Sequence, residues 1–468
     1  MTSSRSVRFS GLAFTLVLAA LIASSQAPKH TLFVWDNYVV SPDSLEYLRP
    51  FSLTSLTPPI YHWFVRVAGG RHLEAPETPL ALYLTGVPFR QRLEDPYFRV
   101  VAAQKVLYMG AVLLLALSLG RATSPVVALN IVLFLVLAGL LCQSTEALVT
   151  EPVAQTWTVL LCVAFLRFLS KPTSAWLLSA GLLCVLAYLT RPAAAYAVLV
   201  PLWMCWHVRA TWREHLVPSL VVLGLVGSSV AFEANRARAG EDVVTISNSA
   251  RRYNRFIHAI QLMEDGDIQA IEEGRSRAFA RKALARRRGV PGADVRPDLA
   301  VSSVIRPLLI EEEIGRTQVD GQPDLSLEAQ QLFESIAGPV LAGKRLESVA
   351  LWLRTLGGVV TGRDSSIGRY AYGIPRPFLF PYLRRSLLAF VVVGPLTVWL
   401  AWTQSRRWVR TFVWGLLSLH AGNAVIMVVF LYPQARYLNA TELFVFIAAA
   451  VALWARRPWL ARHARRLA

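Results

Sequence analysis

Apolar stretches of 15 to 22 residues recur ten times along this 468-residue chain, at 9–25, 98–119, 125–142, 153–169, 174–189, 193–207, 216–233, 386–402, 411–431 and 438–454. A bilayer core about 30 Å thick is crossed by about 20 helical residues. Hydrocarbon offers backbone amides no water to bond, so such stretches can only be helices there. A soluble chain this long would divide into two or three domains. Hydrophobic residues at 54% against 17% charged, with a mean hydropathy of +0.43, point instead to a protein embedded throughout. The expected fold class is an all-α polytopic membrane protein of about ten transmembrane helices, with juxtamembrane helices in its outer loops and a small mixed extracytoplasmic segment.

The net charge of +18 invites a nucleic-acid reading, but the basic residues gather at the ends of apolar runs. With the N-terminus in the cytoplasm, the short cytoplasmic pieces carry Arg5, Arg8, Arg121, Arg167, Lys171, Arg209, Arg213, Arg406, Arg407 and Arg410, and the tail adds Arg456, Arg457, Arg462, Arg465 and Arg466. The short outer loops hold only Arg191 and Arg436. Fifteen against two is the lysine and arginine bias that sets topology. It places both termini inside the cytoplasmic membrane and makes membrane lipid, not nucleic acid, the expected partner. Arg5 and Arg8 ahead of Phe9 to Ala23 also fit a signal peptide; an uncleaved first helix gives the same orientation and suits the rest of the chain. Cys142, Cys162, Cys184 and Cys205 lie in or beside apolar runs without metal or disulfide spacing, so they read as small packing residues. The chain then divides into an N-terminal membrane module (1–233) containing a first outer loop (26–97), an outer segment (234–385), and C-terminal helices with a basic tail (386–468).

The outer segment opens on a strand-like Val243-Val244-Thr245-Ile246 and continues through charged helical sequence. The basic run from Arg281 to Arg288 reads as a solvated helix face, and residues 346–361 as an amphipathic helix suited to a membrane interface.

Polar groups held at the bilayer are costly, so they carry the functional information. Four places on the outer side stand out. In Ser41-Pro42-Asp43-Ser44-Leu45-Glu46-Tyr47-Leu48 the acid can cap a short helix. Taken alone it reads first as that cap; a carboxylate there can instead deprotonate an acceptor hydroxyl or hold a divalent metal. Thr57-Pro58-Pro59-Ile60-Tyr61-His62-Trp63 fixes a turn before an aromatic interfacial segment. Thr145-Glu146-Ala147-Leu148-Val149-Thr150-Glu151-Pro152 opens a helix, with Thr150 suited to the N-cap and Glu151 to the positive helix end. Arg191, in Leu189-Thr190-Arg191-Pro192, and Arg436, before Tyr437, break the positive-inside trend. Arginines there can snorkel to headgroups or grip phosphate oxygens with their fork of donors. His62 and His72 read as interfacial or solvent-exposed rather than as ligands.

In this order and on this topology the motifs resemble the GT-C superfamily of membrane glycosyltransferases, in its bacterial branch related to protein O-mannosyltransferases and aminoarabinose transferases. The resemblance runs almost end to end. It is carried by Pro42-Asp43-Ser44-Leu45-Glu46-Tyr47, Pro58-Pro59-Ile60-Tyr61, Thr150-Glu151-Pro152, Leu189-Thr190-Arg191-Pro192 and Arg436-Tyr437. It implies transfer of a sugar from a polyprenyl-phosphate donor to a lipid, glycan or protein acceptor on the outer side of the cytoplasmic membrane. The family's first-loop acid maps to Asp43, as base or as organiser of the acceptor. Its second outer-loop acid maps to Glu151, with Glu146 the nearby alternative. Arg191 and Arg436 are candidates for the donor phosphate by charge and position. Glu46, Tyr47, Tyr61 and Tyr437 are candidates for substrate contact. Ser44 stands where many relatives carry a second acid, and 234–385 matches no known acceptor-binding domain.

A transporter of lipid or glycolipid predicts repeated halves and broken helices around charged midplane residues. Here the spans read as nearly free of charge and no repeat is visible. A lipid-linked polysaccharide polymerase or ligase shares the many helices and the large outer loop, but places its essential groups in the later loop. A scaffold predicts that Asp43 is dispensable.

Overall fold

The computed structural model describes residues 35, 37–40, 47–48, 59–70, 73–74, 76, 80–137, 145, 148–208, 212–239, 246–314, 327–361, 388–430 and 441–456. These residues are overwhelmingly helical. Two short strands, β1 (Asn37–Val40) and β2 (Leu80–Tyr83), pair antiparallel with Tyr38 opposite Leu82. The small amount of sheet therefore lies in the first outer loop. In the outer segment Ile246 opens a helix, and Val243 to Thr245 lie outside the described residues; the described part of that segment is helical, not mixed.

Between the strands, α1 (Pro59–Gly69) begins on the second of two prolines, whose fixed φ suits the first helical turn. The long α2 (Pro96–Ala122) is started by Asp95, whose carboxylate accepts from Tyr97 N at 2.8 Å and Phe98 N at 3.2 Å, with Pro96 in the first helical position. Gly69 ends α1 where a Cβ would meet Val100 Cγ2 at 2.9 Å, and Gly70 follows at φ +104°. A helix end thus abuts the next helix at a spacing that excludes a side chain.

The bundle continues with α3 (Pro125–Leu137), α4 (Thr150–Ser170) and α5 (Ser174–Thr190). A 3-10 turn (Pro192–Val198) leads into α6 (Leu199–His207), and α7 (Trp212–Ala239) follows. Among the described residues only α2 and α4 are both long and apolar enough by themselves to cross a bilayer. One common core joins α2 to α6 with the C-terminal helices through buried residues such as Leu115, Phe165, Leu177, Met204, Phe412 and Phe444. Outward positions are apolar too: Val106, Leu114, Leu182, Leu202, Leu220 and Leu223 are all exposed. Helices apolar on both faces suit a lipid-embedded bundle.

Arg121, Arg167 and Lys171 close α2 and α4 at the end opposite the strands, where Arg407 also donates to the His207 carbonyl. One span is less free of charge than its sequence suggested. Lys105 sits in the second turn beyond the start of the α2 apolar run and is fully buried, with its Nζ 5.7 Å from the Trp35 ring centre.

The outer segment forms a helical unit with its own core. Its members are α8 (Ile246–Leu262), α9 (Asp265–Ala270), α10 (Arg275–Arg288), α11 (Arg306–Glu311), α12 (Leu327–Ala342) and α13 (Arg345–Thr361). Phe256 and Phe333 stack at 4.3 Å in that core, among Ile260, Phe279, Val304 and Ile336. The basic run is a solvated face held by ion pairs: Lys282 to Glu312, Arg286 to Glu311 at 2.9 Å, and Arg288 to Asp265 at 2.6 Å. Each such surface pair contributes about 0–1 kcal/mol, so the apolar core holds the unit together.

His258 ties α8 to α13 by accepting from Trp352 Nε1 at 2.7 Å. Burial pushes its imidazole down from 6.5 to about 4. A histidine whose folded pKa lies below its unfolded value stabilises the fold above the unfolded pKa and loses that contribution as the pH falls. The outer unit is therefore expected to weaken from about pH 6.5 down to about pH 4, by on the order of 3 kcal/mol. Denaturant melts of the full chain across that window, followed by tryptophan fluorescence with His258→Gln as reference, check it. A slope unchanged by the substitution contradicts it.

The C-terminal part holds α14 (Gly394–Trp402), preceded by a π-helical turn (Leu388–Val393), then α15 (Arg407–Phe430) and a last helix, α16, over 441–456. At Gly415 of α15 a Cβ would stand 2.3 Å from Phe165 Cε1, so α15 and α4 approach to a separation that only glycine allows there. Next to α16, His420 and Asn423 of α15 both bond the Thr441 hydroxyl at 2.9 Å.

Candidate active site at the strand-bearing end of the bundle

Chain elements far apart in sequence meet at the end of the bundle that carries the strands. Tyr38, Val40, Tyr47, Leu48, Tyr61, Val65, Phe98, Leu148 and Val153 form one buried cluster. Beside it, Leu148 N donates to Val39 O at 3.0 Å, so the second outer loop runs against β1 just before α4 begins. Arginines stitch the same region together. Arg66 bonds Leu48 O at 2.6 Å, Arg99 bonds Gly69 O at 2.6 Å, and Arg92 bonds Val87 O at 2.6 Å and Trp35 O at 2.5 Å.

Glu151 and Arg191 form an ion pair of 2.7 Å, with side chains 14% and 18% exposed. Glu151 is the second residue of α4, where the helix dipole favours a negative charge. Arg191 is the residue between α5 and the 3-10 turn. A second bond joins the same two helices: Trp157 Nε1 of α4 donates to Thr190 Oγ1 at the end of α5 at 3.0 Å. Thr150 is itself the first helical residue, with Val149 at the N-cap position and no side-chain cap bond. The extended φ of Val149 starts the helix, so the expected threonine cap is not formed.

The Tyr61 hydroxyl donates to Gln104 Oε1 at 3.2 Å, and Gln104 Nε2 donates to Thr145 O at 2.8 Å. This chain of bonds links α1, α2 and the second outer loop. Tyr47 meets the Tyr61 ring edge-on at 4.9 Å. Burial, then the neighbouring Tyr47 and Glu151, push the Tyr61 phenol well above its ordinary value. It stays protonated and acts as a hydrogen-bond donor. The Tyr38 phenol, which donates to Asp95 Oδ2 at 2.7 Å, is raised likewise, by burial first and then by that carboxylate. His62 is fully buried, with its ring 6.0 Å from that of Tyr47. The interfacial or exposed reading of His62 is therefore wrong, because the loop folds back and covers it.

Tyr47, Tyr61, Glu151 and Arg191 are thus gathered at one end of the bundle. Asp43, Glu46, Glu146, Arg436, Tyr437 and His72 lie outside the described residues, as does Cys142. Described residues flank Asp43 on both sides, and Val40 and Tyr47 both belong to the buried cluster. Gln104 and Lys105 were missed in the sequence because they sit inside an apolar run; two adjacent polar residues within such a run are the signal that marks them. Among the described residues no group of three His, Cys, Asp or Glu side chains is placed to hold a metal ion.

No family model matches the chain, and no curated protein matches it. Among solved structures the chain is similar to ArnT from Cupriavidus metallidurans bound to undecaprenyl phosphate, at 15% identity, with a TM-score of 0.32, over 95% of this chain and 76% of that one. The apo form of the same protein gives 14% identity at the same TM-score and coverage.

Proposed function

We propose that the chain is an integral-membrane glycosyltransferase of GT-C type. It moves a sugar from a polyprenyl-phosphate donor to an acceptor outside the cytoplasmic membrane. The observation that carries this reading is the meeting of the first outer loop with the starts of α2 and α4 and the end of α5 around the Glu151–Arg191 pair, directly above a bundle that is apolar inside and out. The order of motifs resembling the superfamily supports the same class. About ten spans, with both termini in the cytoplasm, put this end outside.

The chemistry follows from the placement. Lipid phosphate leaves well once cations offset its charge in a poorly hydrated interface, where Coulomb terms strengthen. The acceptor hydroxyl needs a base on the opposite face of the anomeric carbon. Asp43 supplies that base, or organises the acceptor. Glu151 fixes Arg191 and, through it, the floor of the site, with Glu146 as the alternative second acid. Arg191 and Arg436 face the phosphate; Glu46, Tyr47, Tyr61 and Tyr437 contact substrate. A divalent metal at Asp43 would add to the cations. The prenyl tail stays in lipid, so only the head group rises into the site.

A lipid-linked polysaccharide polymerase or ligase, or a lipid or glycolipid transporter, are the readings the test must separate. In a strain lacking the protein, mass spectrometry of lipid extracts is expected to find one polyprenyl-phosphate monosaccharide accumulating while a single surface glycan loses that sugar. Accumulation of long lipid-linked chains would favour the polymerase or ligase. An unchanged lipid-sugar pool with sugar trapped on the inner leaflet would favour the transporter.

A further inference from the structure

The outer unit presents an apolar stripe that its own core does not use. On α13, Leu346 is 83% exposed, Val349 44% and Leu353 65%, while Ala350 and Gly357 are exposed beside them. At about 100° per residue these positions share one face. The opposite face carries Ser348, Leu351 and Thr355, all buried, and it is this side that packs on the protein. There Trp352 bonds His258 of α8, and α13 also lies against α15 of the bundle. Arg345 and Arg354, both exposed, fall on the two margins of the stripe, about a quarter-turn from its centre on either side.

We propose that this stripe is a lipid-docking surface, by which α13 lies on the outer leaflet of the bilayer and holds the outer unit against the membrane. The proposal rests on the membrane reading of the bundle. The partner follows from position and charge. The helix lies against α15 of the bundle, and Val425 of α15 is itself 58% exposed, so both helices leave apolar side chains uncovered. Arginines at both margins of an apolar face bury their stems and keep their guanidinium groups at headgroup level. Such a helix gains affinity from anionic headgroups as well as from its apolar area.

The test uses the full chain in nanodiscs of phosphatidylcholine and phosphatidylglycerol. A ketone-bearing amino acid placed at Leu346, Leu353, Glu347 or Leu114 in turn carries a nitroxide label and leaves the native cysteines untouched. Collision with oxygen, which concentrates in lipid, is compared with collision with a neutral nickel chelate, which stays in water. Leu346 and Leu353 are expected to favour oxygen over nickel several-fold more than Glu347 does, as does the bundle control at Leu114. A lipid signature at Leu114 with a watery one at Leu346 and Leu353 overturns the docking and leaves the membrane reading standing. Protection of the stripe from both probes means that protein covers it, and this also overturns the docking. A watery signature at Leu114 overturns the membrane reading and the docking with it.

Discussion

Replacing Asp43 by asparagine is expected to abolish sugar transfer while the chain still inserts and folds. Asparagine keeps the shape and hydrogen-bonding reach of the acid but cannot accept a proton. A positioned general base contributes on the order of 10²–10⁴ in rate, and the loss should fall in that range with donor affinity little changed. Transfer by purified protein from a polyprenyl-phosphate sugar, alongside the amount of folded protein recovered, is the measurement. A helix cap would behave differently: asparagine caps about as well as aspartate, so full activity in Asp43→Asn would leave Asp43 a structural residue and remove the base. Val40 and Tyr47, the described neighbours on either side, are buried in the cluster that also holds Tyr61. A substitution confined to the carboxylate should not disturb them.

The second large effect concerns the Glu151–Arg191 pair. Its side chains are mostly withdrawn from water, so removing one partner takes from the other a close opposite charge that water does not replace. A buried pair broken on one side costs about 3–5 kcal/mol, and Glu151→Ala and Arg191→Ala should each lower stability toward that range. The double variant, with neither charge left, is expected to cost less than the sum of the two. Activity separates the roles further. Arg191→Ala should raise the donor concentration needed for half-maximal rate, because a phosphate-facing cation is lost along with the pair. The exchange Glu151→Arg with Arg191→Glu restores the ion pair and its stability, but moves the cation to the start of α4. Stability without activity in that exchange is the signature of a positional role; recovery of both would reduce the pair to a structural tie. Thermal melts and donor titrations on the same preparations decide between these outcomes.

Much of this arrangement is legible in the sequence. Apolar runs at 98–119, 153–169 and 174–189 become α2, α4 and α5, because a helix that must satisfy its own amides in hydrocarbon leaves a strong period-free signal. Pro58-Pro59 marks the turn ahead of α1 through purely local geometry. The amphipathic reading of 346–361 matches α13 for the same reason: its pattern is written along one helix.

Contacts between segments left no comparable trace. The pairing of β1 with β2 joins residues 40 to 46 positions apart, and a four-residue strand in an aromatic loop carries no pattern of its own. The burial of His62 depends on that loop folding back. The engagement of Arg191 by Glu151 depends on two helix ends brought side by side, which the Trp157–Thr190 bond also joins. Gln104 looks like an interruption of an apolar run until Tyr61 of α1 and the Thr145 carbonyl bond it, and so does Lys105 until the Trp35 ring lies against it.

By itself, then, the sequence determined what the chain dissolves in, which end of the bundle is basic, and which residue types wait at the other. Those properties are sums over local composition, and hydrocarbon imposes them residue by residue. Only the tertiary structure decided which of the waiting groups meet. An ion pair or a hydrogen bond requires approach to about 3 Å, and that distance is set by packing between helices, such as the glycine contact of α15 with α4, which no single segment contains.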